Sequence, residues 1–223
     1  QDLKLAPTGV CLRAIEVVDG ELLTNELHVL PKVKDGNVVS DIEHDILKVV
    51  VLNRYRPAPP AIGFVKNFGL KKGALASSVA HDSHNLIALG CSDEEIAAAA
   101  NLVISSKGGI AVVSDGQSRL LPLPLAGLMG VGDGYQTAAA YEELHRAAKA
   151  LGSCLTAPFM TLSFLALPVI PALKLTDKGL FDVNRLERVE VFTDERWCGI
   201  TRRPAEIDSK PCSNSGEECT NCD

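Results

Sequence analysis

Aromatic residues are few in this chain, 4% of 223, and only two methionines are present. Hydrophobic residues at 46% and charged residues at 22% are nonetheless ordinary for a folded protein, so disorder is not the default reading. No apolar run reaches the roughly 18 residues that a membrane span requires, and no charged start followed by an apolar stretch marks a signal peptide. The formal charge of −6 comes without a basic stripe, which argues against a nucleic-acid partner and favours a small neutral or cationic ligand. Around Gly63, Gly69 and Gly73, with Lys66, Lys71 and Lys72, neither Walker spacing nor a dinucleotide fingerprint occurs, so a solvated turn is expected there. No internal repeat is visible. Together these features read as a cytoplasmic protein that binds neither membrane nor nucleic acid. Gln1 in place of an initiator Met is consistent with a fragment or processed product.

The seven cysteines do not form a disulfide-like framework. Cys11, Cys91, Cys154 and Cys198 stand singly in apolar or mixed segments and read as reduced structural thiols. Cys212, Cys219 and Cys222 form a Cys-x6-Cys-x2-Cys pattern without a nearby histidine, short of the four ligands of a structural zinc site. From about Thr201 the chain turns polar, so residues 1–200 are expected to form one domain and 201–223 a tail with little fixed structure.

Asp19-Gly20, Asp35-Gly36 and Asp115-Gly116 are hairpin-turn dipeptides between β-rich runs. Strands are predicted over 12–18, 27–33, 46–53, 62–68, 74–80, 86–89, 110–114 and 119–122. Ser92-Asp93-Glu94-Glu95 has the form of a capping box and starts a helix that stops at Gly108-Gly109. Tyr141, Leu144, Ala148 and Leu151 form the stripe of a second helix. The expected fold class is α+β, an antiparallel or mixed β-sheet covered by helices. The proline-broken apolar segments 120–129 and 159–171 are expected in the core or at a subunit or domain contact.

Chemistry concentrates in one place. Ser77-Ser78-Val79-Ala80-His81-Asp82-Ser83-His84-Asn85 holds two imidazoles, a carboxylate, an amide and three hydroxyls in nine residues. Ser77, Ser78, His81, Asp82, His84 and Asn85 are the candidate pocket residues on a loop after a strand. The bland alternative is a turn whose polar groups satisfy one another. A metal site on His81 and His84 would need further ligands that the neighbourhood does not supply.

This run, extended back through Gly63-Phe64-Val65-Lys66-Asn67-Phe68-Gly69-Leu70-Lys71-Lys72-Gly73, resembles the C-terminal region of the bacterial and archaeal adenine deaminases of the amidohydrolase superfamily. Leu121-Pro122-Leu123-Pro124-Leu125-Ala126-Gly127-Leu128-Met129 and the Pro158 to Pro171 segment carry the same likeness, which covers residues 11–192. The resemblance implies a (β/α)8 barrel, fused or supplied in trans, that hydrolyses adenine to hypoxanthine and ammonia with a divalent metal: manganese, iron or zinc. It also implies a homo-oligomer. The barrel's His-x-His metal pair has no counterpart among the five histidines of this chain. No catalytic residue is therefore assigned, and the chain alone is expected to be inactive. The competing expectations are a non-catalytic binding or oligomerisation module and a self-contained hydrolase built on His81 and His84.

Overall fold

The computed structural model describes residues 3–194 and the backbone of Thr201–Arg202. The strands are β1 (Cys11–Val17), β2 (Thr24–Val29), β3 (Val33–Lys34), β4 (Asn37–Val38), β5 (Ile46–Leu52), β6 (Ala61–Lys66), β7 (Ala74–Ser77), β8 (Leu86–Gly90), β9 (Gly109–Ser114), β10 (Gln117–Pro122), β11 (Leu173–Thr176), β12 (Gly179–Asp182), β13 (Glu187–Val189), β14 (Phe192–Thr193) and β15 (Thr201–Arg202). The helices are α1 (Asp93–Ser105), α2 (Gly134–Ala150) and α3 (Pro158–Phe164). The main sheet runs β10-β9-β7-β8-β5-β6-β1-β2-β15, with β14 also paired to β1. Every pairing in it is antiparallel except β1 with β6, so the α+β, mixed-sheet expectation holds. Among the described residues no helix is long and apolar enough to cross a membrane.

Turn chemistry sets the registers. Asp35-Gly36 and Asp115-Gly116 have positive φ at both residues, as two-residue hairpin turns require, and they join β3 to β4 and β9 to β10. β5 lies in the middle of the sheet and is buried along its whole length, which explains its unbroken Ile-Leu-Lys-Val-Val-Val-Leu run. One sheet face packs Val50, Leu52, Ala74, Ala76, Leu86 and Ala88 against Ile96, Ala99, Ala100 and Val103 of α1. The other packs Leu47, Val49, Leu75 and Leu89 beneath α2, α3 and the three-stranded β11-β12-β13 sheet. Removing these side chains from water at about 25 cal/mol per Å² is the main drive that joins the layers.

Helix α1 starts as its sequence predicts, with the Ser92 hydroxyl accepting from Glu95 N. It is docked on the sheet by an ion pair, Lys48 Nζ to Asp93 Oδ1 at 2.6 Å, and Lys48 also donates to Leu3 O. Lys48 is fully buried, so this one polar position in β5 is tolerated only because it is paired.

Several expectations are corrected. Helix α2 begins seven residues before Tyr141, capped by Asp133, whose carboxylate accepts from Gln136 N. The segment read as a proline-broken crossing contains α3, with Pro158 at its first turn, where a missing N–H costs nothing. Cys11 is disulfide-bonded rather than a reduced thiol. Cys91 and Cys154 are free, so the Cys11 partner lies outside the described residues, as do Cys198, Cys212, Cys219 and Cys222. Thr201 and Arg202 pair with Leu27 and Glu26 of β2, and the rest of the expected tail, 203–223, lies outside the described residues. Burial holds the Cys91 thiol up at about 12, which leaves it unreactive.

Candidate functional site

The polar run connects β7 to β8 at one end of the sheet. The strand predicted to Ala80 stops at Ser77, because Ser77 Oγ accepts from Val79 N at 3.0 Å and donates to Val79 O, giving the backbone a local partner in place of the ladder. Ser78 is buried and acts as a tie: its hydroxyl donates to Gly127 O at 2.5 Å and accepts from Gly109 N at 2.8 Å. This tie and a bare Gly108, where a Cβ would fall 2.3 Å from Gly127 Cα, bring the 123–129 loop against the end of α1. Asn85 is buried; its Oδ1 accepts from Arg54 N and its Nδ2 donates to Ser83 Oγ.

Between these anchors the turn closes through His84 N to Ala80 O at 2.7 Å, with His84 in the left-handed region at φ 49°. His81 N donates to Ser163 O of α3, and its ring rests 4.6 Å from the Phe164 ring centroid. His81 and His84 meet edge to face, centroids 5.4 Å apart. Asp82 and Ser83 are exposed. The Nδ1 of His84 is buried without a hydrogen-bond partner. Burial first, then the charges of His81 and Arg54, hold the His84 imidazole below the usual histidine range, with Asp82 pulling the other way.

The six candidate residues therefore divide by role. Ser77, Ser78 and Asn85 are hydrogen-bonded ties, whereas Asp82 is exposed and His81 and His84 are half-buried beside it. The residues missed by sequence reading are Arg54, Tyr55 and Phe164. Arg54 Nη1 donates to His84 O at 3.1 Å and Nη2 to Ala126 O at 2.5 Å, while Tyr55 OH donates to Ser83 O. The signal available was Arg54-Tyr55-Arg56-Pro57 directly after an apolar strand, a polar strand end closed by proline.

Among the described residues, the group of three possible ligands is Asp41, Glu43 and His44, at the opposite end of β5. There the Asp41 carboxylate is already engaged by Lys32 at 3.2 Å and by His44 Nδ1 at 2.7 Å. Of the lysines around Gly63, Gly69 and Gly73, Lys66 donates to His44 O and Lys72 pairs with Asp115.

The lowered His84 pKa has a signed consequence. The unfolded histidine takes a proton near pH 6.5 while the folded one resists it, so stability is full above that pH and falls as acid is added. Acidification from pH 7 to 5 is expected to lower the melting temperature of the wild-type chain more than that of His84→Gln. Parallel curves would show that His84 stays solvated.

A mixed sheet with helices on both faces, displaying a histidine-bearing turn locked by buried serine and asparagine, defines an α+β domain that presents polar groups from a rigid frame. The adenine deaminase C-terminal domain family matches residues 21–187, and the chain belongs to that family. It is 54% identical over 184 residues to the adenine deaminase of Methanosarcina barkeri, covering 82% of this chain and 33% of that protein. The adenine deaminase of Methanothermobacter thermautotrophicus is 49% identical over 176 residues, 79% of this chain and 33% of its own length. That of Salinibacter ruber is 48% identical over 195 residues, 86% and 36%. The chain thus spans about a third of the relatives it matches, and the barrel is not among its 223 residues.

Proposed function

We propose that this domain serves the hydrolysis of adenine to hypoxanthine and ammonia, as the part of a longer enzyme that closes a purine pocket with His81, Asp82 and His84. The observation that carries this reading is the division of the turn. Its buried serine and asparagine hold the backbone, while no hydrogen bond within the described residues engages the His81 ring, which packs on Phe164, the Asp82 carboxylate or the buried Nδ1 of His84.

The chemistry suits a purine. A neutral imidazole has one donor and one acceptor nitrogen, the pattern that ring nitrogens and the exocyclic amine complement. An exposed Asp82 carboxylate can accept from that amine. The divalent metal of the reaction, manganese, iron or zinc, does not fit the turn, because the ligand atoms of His81, Asp82 and His84 do not converge within 4.8 Å. It belongs to the barrel, and no step through it is assigned to these residues.

The barrel, in cis or in trans, is the proposed partner, and a homo-oligomer the proposed assembly. Leu125, Met129, Val131 and Tyr135 are exposed at 49%, 59%, 78% and 92%, in and just after the loop that Arg54 and Ser78 tie to the turn. Buried Leu121 and Leu123 meet the core half of the expectation for this segment, and its exposed half is the proposed contact. A cytoplasmic location remains part of the proposal.

The test uses a chimera in which this chain replaces the matching third of the Methanosarcina barkeri enzyme. His84→Gln and Asp82→Asn are each expected to reduce kcat/KM for adenine by more than about tenfold, roughly 1.4 kcal/mol, at an unchanged melting temperature. A lowered melting temperature with normal turnover per folded molecule would make the turn structural only.

A further inference from the structure

A cleft of about 330 Å³ opens on the α1 face of the sheet, between the last turn of α1 and the segment after β5. Its apolar surface is Leu52, Leu86, Val103 and Ile104, and its two charged residues are Arg54 and Lys107. The remaining polar side chains are occupied elsewhere. Asn53 Oδ1 accepts from Tyr55 N and Arg56 N, and its Nδ2 donates to Asp177 at 2.7 Å. Ser78 is held by Gly109 and Gly127.

The two cations lack counter-charges. Arg54 gives two of its five N–H donors to neutral carbonyls, and no carboxylate among the described residues pairs with Arg54 or Lys107. The carbonyl end of α1 disfavours an anion, a cost that the bonds from the Ser106, Lys107 and Gly108 N–H groups and the Ser105 and Ser106 hydroxyls to the Leu102, Val103 and Ile104 carbonyls reduce and that the two cations must outweigh. The negative net charge of the chain is thus no guide to this place, where two cations meet no carboxylate among the described residues and Arg54 is faced only by neutral carbonyls and the Tyr55 ring, 5.4 Å from its centroid.

We propose that this cleft binds a phosphate monoester of nucleoside monophosphate size, its dianion held between Arg54 and Lys107 and its organic body laid on Leu52, Leu86, Val103 and Ile104. Two unpaired cations match a dianion, and the guanidinium fork fits phosphate oxygens. The volume is at the lower end for small-molecule sites, roughly 300–1,000 Å³. Arg54 also holds His84 O, so the ligand shares a residue with the presented turn; this coupling, unlike the binding itself, rests on the proposed deaminase role.

Isothermal titration of the 223-residue chain with adenosine 5′-monophosphate, adenosine and inorganic phosphate tests the site without any catalysis. The monophosphate is expected to bind at least about tenfold more tightly than adenosine or phosphate alone. Lys107→Glu and Ile104→Glu, both at exposed positions, are each expected to weaken it by at least about tenfold at an unchanged melting temperature. Equal binding of adenosine would remove the anion from the proposal, and equal binding of phosphate would remove the organic body. Indifference to Lys107→Glu, or no binding of the monophosphate, would overturn it. None of these outcomes bears on whether the turn serves deamination.

Discussion

The 223-residue chain on its own is expected to release ammonia from adenine at a rate at least about a thousandfold below that of the chimera carrying a barrel. Generating a strong nucleophile at neutral pH to attack an aromatic ring carbon calls for a metal-bound water or an equivalent group. Among the described residues the ligand atoms of His81, Asp82 and His84 do not converge within 4.8 Å, and the Asp41, Glu43 and His44 group that does sits at the far end of β5 with its carboxylate engaged. The check is ammonia release by the purified chain, with and without added divalent metal, beside the chimera. Turnover by the chain alone that disappears in His81→Ala would establish a self-contained hydrolase and displace the barrel-dependent role.

Lys174→Met is expected to stabilise the chain by about 2 kcal/mol at pH 7. Lys174 is 1% exposed, and its ammonium donates to Leu22 O at 2.8 Å, with no carboxylate pairing among the described residues. Desolvation by burial pushes it down to about 8. The sign follows from linkage: below pH 8 both states are protonated, and the fold bears the full cost of the buried charge. Between pH 8 and 10.5 the folded lysine sheds its proton while the unfolded one keeps it, so wild-type stability rises. The roughly 2 kcal/mol advantage of Met should therefore be all but gone by pH 9.5, since the wild type gains about 1.4 kcal/mol per pH unit above the folded value. Denaturant unfolding of both proteins at the two pH values measures this. A destabilised Lys174→Met at pH 7 would show that the Leu22 bond outweighs the desolvation.

Much of the frame is legible in the sequence because its signals are local. Asp35-Gly36 and Asp115-Gly116 encode positive φ, Ser92 with Glu95 encodes a helix start, and the aliphatic run of β5 encodes a central strand. What is not legible depends on partners distant in sequence. Ser77 and Ser78 read as members of a polar loop, yet Ser78 is consumed by Gly109 and Gly127, 31 and 49 residues away. Arg54 shows in the sequence only as a polar residue closing a strand, and its reach to His84 and Ala126 appears only in the fold. Helix α3 is hidden because its apolar residues lie in a segment read as proline-broken, while Pro158 in fact sits at its first turn. Cys11 looks like a buried strand thiol, and its pairing depends on a residue from another part of the chain. Within the candidate site, position along the chain is readable, while the division into ties and presented groups requires the tertiary contacts.

Whether the turn faces the purine is decided by photolabelling of the chimera with 2-azidoadenine. Label mapped by mass spectrometry is expected on the peptide containing His81 to His84, and excess adenine is expected to suppress it. Adenine-protected label confined to the barrel, with none on this peptide, would contradict a purine-facing turn.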